Sequence, residues 1–201
     1  MSAMFRLRRW APAFLLSAAA FALPAHAVEI HGVQVAPTQQ ADGQNLVLNG
    51  AGTRYFLVFK VYVAALYLPH KAPSAQQVLD MHGPRELRLV MLRDVSGKEL
   101  GDKLTDGIQN NVSPEDFGRL APALARLGGL FAQKHQLKTG ESVILQDTPG
   151  QGMRIVIDGM PAGAPYTEPG FFNALLKIWL GASPAEGRLK KALLGDTSVQ
   201  N

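Results

Sequence analysis

Apolar and polar residues change their spacing several times along the chain, and each change marks an element. Over residues 28–35 apolar positions alternate with polar ones for part of the stretch, which predicts a strand. Residues 37–44 are polar and read as a turn or short loop. Leu46, Val47 and Leu48 lead into Asn49-Gly50-Ala51-Gly52, a glycine-rich turn. Residues 54–68, RYFLVFKVYVAALYL, are rich in β-branched and aromatic side chains and carry the strongest strand signal. The run is too long for one ordinary strand, so a pair of strands, or one long bent strand, is expected, with the break near Lys60. Ser74 caps a short helix over residues 75–81, stopped by Gly83-Pro84. Residues 85–93 alternate again, with Leu87, Leu89 and Met91 on one face of a half-buried strand.

The spacing then becomes helical. Over residues 96–111, Leu100, Leu104 and Ile108 stand four apart on one helix face. Ser113-Pro114 supplies an N-cap and a proline in the first turn. The helix it starts carries Phe117, Leu120, Leu124 and Leu127; Pro122 is expected to kink it and Gly128-Gly129 to end or kink it. Residues 142–147 and 153–158 read as strands joined by a hairpin over 148–152. Residues 170–180 form an apolar helix. Ser183-Pro184-Ala185-Glu186 reads as a capping box opening a last helix that Gly195 closes. Strands, then helices, then a hairpin, then helices do not alternate as a doubly wound parallel sheet would. The order predicts an α+β domain over residues 28–195, an antiparallel sheet covered on one face by helices, with a polar tail at 196–201.

The first 27 residues have a different grammar. Arg6, Arg8 and Arg9 precede an apolar run over residues 11–23, and Ala25-His26-Ala27 offers a small-x-small cleavage site. That order is a secretory signal peptide's. The run falls short of the roughly 20 residues that span a bilayer, so a periplasmic or secreted protein without a stable membrane anchor is expected. The segment carries three Arg and no acid, so without it the net charge falls from +4 to +1. The remaining 174 residues hold no concentration of Lys and Arg, which argues against a nucleic-acid partner. The chain has no Cys, so disulfides and thiolate metal sites are excluded.

Catalytic and cofactor signatures are absent from the sequence: no nucleophile elbow, phosphate-binding loop, zinc-protease helix or dinucleotide turn. His31, His70, His82 and His135 are scattered without metal-ligand spacing. Neither catalytic residues, nor a metal, nor a cofactor is assigned. Arg54 is the residue of interest. It opens the most apolar strand region, where an unpaired guanidinium is costly to bury. Such a group needs a carboxylate, several carbonyls or a ligand anion, and its planar fork suits a carboxylate. In a regular strand Arg54, Lys60 and Tyr62 share a face; a bulge near Lys60 changes that parity. Tyr62 points its hydroxyl at the same hollow if the faces agree. Asn173 stands alone among bulky apolar residues of the later helix. Arg54, Tyr62 and Asn173 are therefore the candidate ligand-binding residues, and a small amphipathic molecule the candidate partner.

Gly50-Ala51-Gly52-Thr53-Arg54, followed by Phe59-Lys60-Val61-Tyr62-Val63-Ala64-Ala65-Leu66-Tyr67-Leu68, resembles the chalcone isomerase-like family. Residues 172–195, with Lys177-Ile178-Trp179-Leu180-Gly181, Ser183-Pro184 and Leu189-Lys190-Lys191-Ala192-Leu193-Leu194-Gly195, resemble its C-terminal end, and the whole looks most like a bacterial secreted branch. The resemblance implies an open-faced β-sandwich with a ligand cleft between sheet and helices. The family's enzymes cyclise chalcones by intramolecular conjugate addition; relatives of the same fold bind fatty acids. Arg54 matches the family arginine, which stabilises a phenolate in the enzymes and holds a carboxylate in the binders. An active-site Thr of the enzymes corresponds to Tyr62, their helical Tyr and Asn to Leu100 and Gly107, and a late Ser/Thr to Asn173. The cationic anchor is kept and the polar groups around a reacting carbonyl mostly are not. The resemblance thus implies a fatty-acid or amphipathic-carboxylate binder first, an intramolecular lyase second, and an envelope protein without a small ligand third.

Overall fold

The computed structural model describes residues 27–199; the segment read as a signal peptide, all but Ala27, lies outside them. Eleven strands and five α-helices follow in chain order: β1 Val28–Ile30, β2 Val33–Val35, β3 Thr38–Ala41, β4 Gln44–Phe56, β5 Phe59–Leu68, α1 Ala75–Leu79, β6 Arg85–Met91, β7 Val95–Ser96, α2 Gly97–Gln109, α3 Pro114–Gln133, β8 Gln136–Leu137, β9 Ser142–Thr148, β10 Gly152–Ile157, β11 Met160–Pro161, α4 Phe171–Leu180 and α5 Gly187–Leu193. A short 3-10 turn, Thr197–Val199, lies in the tail.

The main sheet has seven strands in the order β11-β10-β9-β6-β5-β4-β3, antiparallel at every pairing. Alternate residues of its strands face opposite ways. Tyr62, Ala64, Leu66 and Leu68 of β5, with Leu87, Leu89 and Met91 of β6, join the helices in one large core. Val63, Ala65 and Tyr67 face the other way, into a smaller cluster under the β1–β2 hairpin. The α+β class and the helix-covered antiparallel sheet are as the sequence pattern predicts. α4 is apolar almost all round and is buried accordingly, between the sheet and α2.

Several local expectations are corrected. Residues 28–35 are two strands, not one, turning at His31-Gly32, both of which have positive φ. The polar stretch 37–44 is not a loop: it holds β3 and the Asp42-Gly43 turn, since an edge strand with one wet face has no need of apolar residues. Gly50 and Gly52 are not in a turn but inside the 13-residue β4. A Cβ at Gly50 would lie 2.0 Å from the Ala192 carbonyl oxygen, and one at Gly52 2.7 Å from the Ala192 Cβ. They are glycines because α5 lies directly on the strand. The break in 54–68 falls at Leu57-Val58 rather than at Lys60. Gly128-Gly129 does not end α3, which continues to Gln133. Tertiary packing overrides the glycine penalty there: α2 crosses close by, and a Cβ on Gly101 would meet Phe131 Cβ at 3.2 Å. The capping box at Ser183 does not form; α5 starts at Gly187, and the Glu186 side chain is engaged elsewhere.

Candidate ligand cavity

β4 and β5 deliver Arg54 and Tyr62 opposite each other, as direct cross-strand partners. The next partners are Tyr55 and Lys60, which leaves Val61 as an extra residue in β5. This bulge changes the parity. Lys60 is therefore on the opposite face from Arg54, where its Nζ lies 3.1 Å from His31 Nδ1. His31 Nε2 in turn lies 3.3 Å from the Tyr55 hydroxyl. Burial, helped by the Lys60 charge, holds the His31 imidazole below its usual pKa, which suits a neutral ring accepting from the ammonium.

Arg54 and Tyr62 stand in the wall of a cavity of about 410 Å³ between the sheet and α2. That size is within the range of small-molecule pockets. Phe56, Val61, Leu100, Leu104, Ile178 and Trp179 are among its apolar lining. The charged groups at its rim balance: Arg54, Arg93 and Lys103 against Asp94, Glu99 and Asp106. No net field draws an anion in, so any preference for one rests on a specific contact.

The Arg54 side chain is 21% exposed and already faces a carboxylate, with Nη1 3.4 Å from Glu186 Oε2. The same oxygen accepts the Tyr55 backbone N–H at 2.7 Å. The shorter bond tethers Glu186 to the strand end; the guanidinium contact is longer than a well-formed hydrogen bond. Tyr62 is 7% exposed, and its hydroxyl accepts from Trp179 Nε1 at 2.9 Å. Burial raises the Tyr62 pKa; the Trp179 bond and the Arg54 charge pull against this without cancelling it. The phenol is therefore neutral, and its proton is available to a guest's acceptor.

Asn173 is not part of this site. Its Oδ1 accepts from Arg85 Nη1 at 2.8 Å and its Nδ2 donates to the Leu79 carbonyl at 2.9 Å. It holds Arg85, whose other arm binds Asp147 at 2.8 Å. Asn173 and Trp179 are six residues apart on α4, roughly 9 Å along a helix, and Trp179 is the one at the cavity. The sequence reading missed Trp179 and Glu186. Trp179 reads as core in any apolar helix, and Glu186 reads as the capping partner of its own helix terminus. Leu100 and Gly107 do line the cavity. A Cβ on Gly107 would lie 2.8 Å from Ile178 Cγ2, so α4 occupies the space that a side chain at this position needs. Among the described residues no group of three or more His, Asp or Glu is placed to hold a metal, and no helix is long and apolar enough to cross a membrane.

An antiparallel sheet with a helical cover and an apolar cavity between them defines a small-molecule-pocket fold. A family model described as chalcone isomerase-like matches residues 27–195, and the chain belongs to that family. Among curated proteins none matches in sequence. Among solved structures, a fatty-acid binding protein of Arabidopsis thaliana superposes with a TM-score of 0.65 at 14% identity, over 84% of this chain and 94% of that one. At this identity the likeness is one of fold.

Proposed function

We propose that the protein binds a fatty acid or another amphipathic carboxylate, tail in the apolar cavity and head at Arg54 and Tyr62, and that it does so outside the cytoplasm. The observation that carries the reading is a part-buried guanidinium beside a neutral buried phenol in the wall of an otherwise apolar cavity of about 410 Å³. A carboxylate accepts from both groups: a charge-assisted bond from Arg54 and a neutral one from Tyr62. The fold shared with a plant fatty-acid binding protein supports the same reading. The signal-peptide grammar of residues 1–27 supports export; mass spectrometry of the protein recovered from its host tests it, with cleavage after Ala27 expected.

A conjugate-addition enzyme needs donors aimed at a developing enolate. Leu100 and Gly107 provide none, which favours binding over catalysis. The test is titration of the purified protein with a long-chain fatty acid and with the corresponding alcohol. Arg54→Gln is expected to weaken the acid at least about tenfold, the worth of one hydrogen bond to a charged group, and to leave the alcohol within about twofold. Unchanged acid affinity would remove Arg54 as the anchor. Loss of both ligands would mean that the substitution closed the cavity.

A further inference from the structure

Phe56, Leu57, Val58 and Phe59 form the tip of the β4–β5 hairpin, and they are 58%, 81%, 82% and 55% exposed. Four consecutive exposed large apolar residues go against the pattern of a water-facing surface. The turn makes the choice costlier. Leu57 sits at φ +55°, in a two-residue hairpin connection where Asn or Gly is the favoured occupant and a bulky side chain is an outlier. A residue kept against its local preference points to a role for its side chain.

Two cations flank the tip, while the lining of the cavity as a whole carries as many acids as bases. Lys60 follows the tip directly, and its ammonium lies 3.1 Å from His31 Nδ1. The Arg93 guanidinium lies 5.6 Å from the centre of the Phe59 ring. Neither cation is in an ion pair among the described residues. The neighbouring acid, Asp94, is engaged by Lys138 Nζ at 3.0 Å and the Thr139 backbone N–H at 2.9 Å. Phe56 also lines the cavity, so the tip stands at its mouth.

We propose that this hairpin tip docks the protein reversibly on an anionic lipid surface, the apolar side chains entering the interface and Lys60 and Arg93 meeting lipid phosphates. Weak apolar insertion joined to a few cations is how peripheral proteins reach such surfaces. A stable protein interface buries roughly 800 Å² on each partner; four side chains on a projecting two-residue turn offer less, whereas a bilayer requires no matching shape. Docking sets the cavity mouth against the membrane. The proposal holds whether or not Arg54 anchors a carboxylate, and its test contains no added ligand.

The experiment is flotation of the protein, purified from its host, with vesicles of equimolar phosphatidylglycerol and phosphatidylcholine or of phosphatidylcholine alone. The expected result is binding to the anionic vesicles, weakened by salt. The double variant Leu57→Gly with Val58→Ser places glycine at the one turn position with positive φ, removes both apolar side chains, and is expected to lose at least about tenfold in binding. Leu57→Trp is expected to shift its emission to the blue on anionic vesicles. Equal flotation of the double variant, an unmoved Trp emission, or no flotation of the unaltered chain would each overturn the proposal. Self-association through the tip, abolished by the double variant, with no vesicle binding would reassign the surface to a second copy.

Discussion

Glu186 is the guest that Arg54 already has. Its Oε2 accepts from the Tyr55 backbone at 2.7 Å and faces the guanidinium at 3.4 Å, so a ligand carboxylate arriving at Arg54 meets a negative charge. Two like charges about 4 Å apart at an effective dielectric near 20 repel by about 4 kcal/mol, and the partial exposure of the pair, 21% and 17%, screens much of that. Glu186→Gln keeps an oxygen for Tyr55 and removes the charge. The fatty acid is expected to bind several-fold more tightly to the variant and the alcohol equally well, with a stability loss under about 1 kcal/mol. Weaker acid binding would show that Glu186 helps to hold the ligand. Of these residues the sequence revealed Arg54 and Tyr62, because a cation and a phenol inside an apolar run are conspicuous wherever the run folds. Asn173 was as conspicuous for the opposite reason: it is the polar holder of a buried Arg85, and only the fold shows which arginine it serves.

The same limit holds for whole elements. β4 and α5 meet across Gly50 and Gly52, whose partner Ala192 is some 140 residues away. No local pattern distinguishes such glycines from turn glycines, whereas the alternation in β6 and the four-residue spacing in α2 depend only on near neighbours and were legible. Asn49, just before them, ties the two elements: its side chain donates to Leu193 and Ala72 carbonyls at 2.7 and 3.0 Å and accepts the Ala72 N–H at 2.7 Å. A methyl on Gly52 has to displace α5, and with it the loop that carries Glu186. Gly52→Ala is expected to cost about 1–3 kcal/mol in denaturant unfolding, less the few tenths that a stiffer unfolded chain returns. Ala192→Gly in that background is expected to recover part of the loss. If the two substitutions are simply additive, the helix is not resting on this strand.

The molecule's response to pH sums opposed groups. Asp94, Asp116, Glu141 and Asp196 are held below the usual carboxylate range by hydrogen bonds, from the Thr139 backbone in the first case and the Lys138 backbone in the third. Each stabilises the fold above its unfolded pKa and loses that contribution as the pH falls through the folded one. Glu86 runs the other way. It is 3% exposed on β6, and burial raises its pKa although the Arg88 charge and hydrogen bond oppose the shift. A raised folded pKa means the proton is held more tightly in the native state. Its stabilising contribution is full below the unfolded pKa and is lost as the pH rises through the folded value. At neutral pH the buried carboxylate is therefore a net burden, Arg88 notwithstanding. Glu86→Gln removes that burden and keeps an acceptor for Arg88. The variant is expected to melt above the unaltered protein at neutral pH, by about 2–4 °C for each kcal/mol in a chain of this size. The difference should shrink on acidification toward the ordinary carboxylate range, where the native Glu86 takes up its proton. Thermal melts of both proteins across that range measure it. A variant that melts lower at neutral pH would mean that the ion pair with Arg88 outweighs the desolvation, and that the sheet interior at β6 is better solvated than its burial implies.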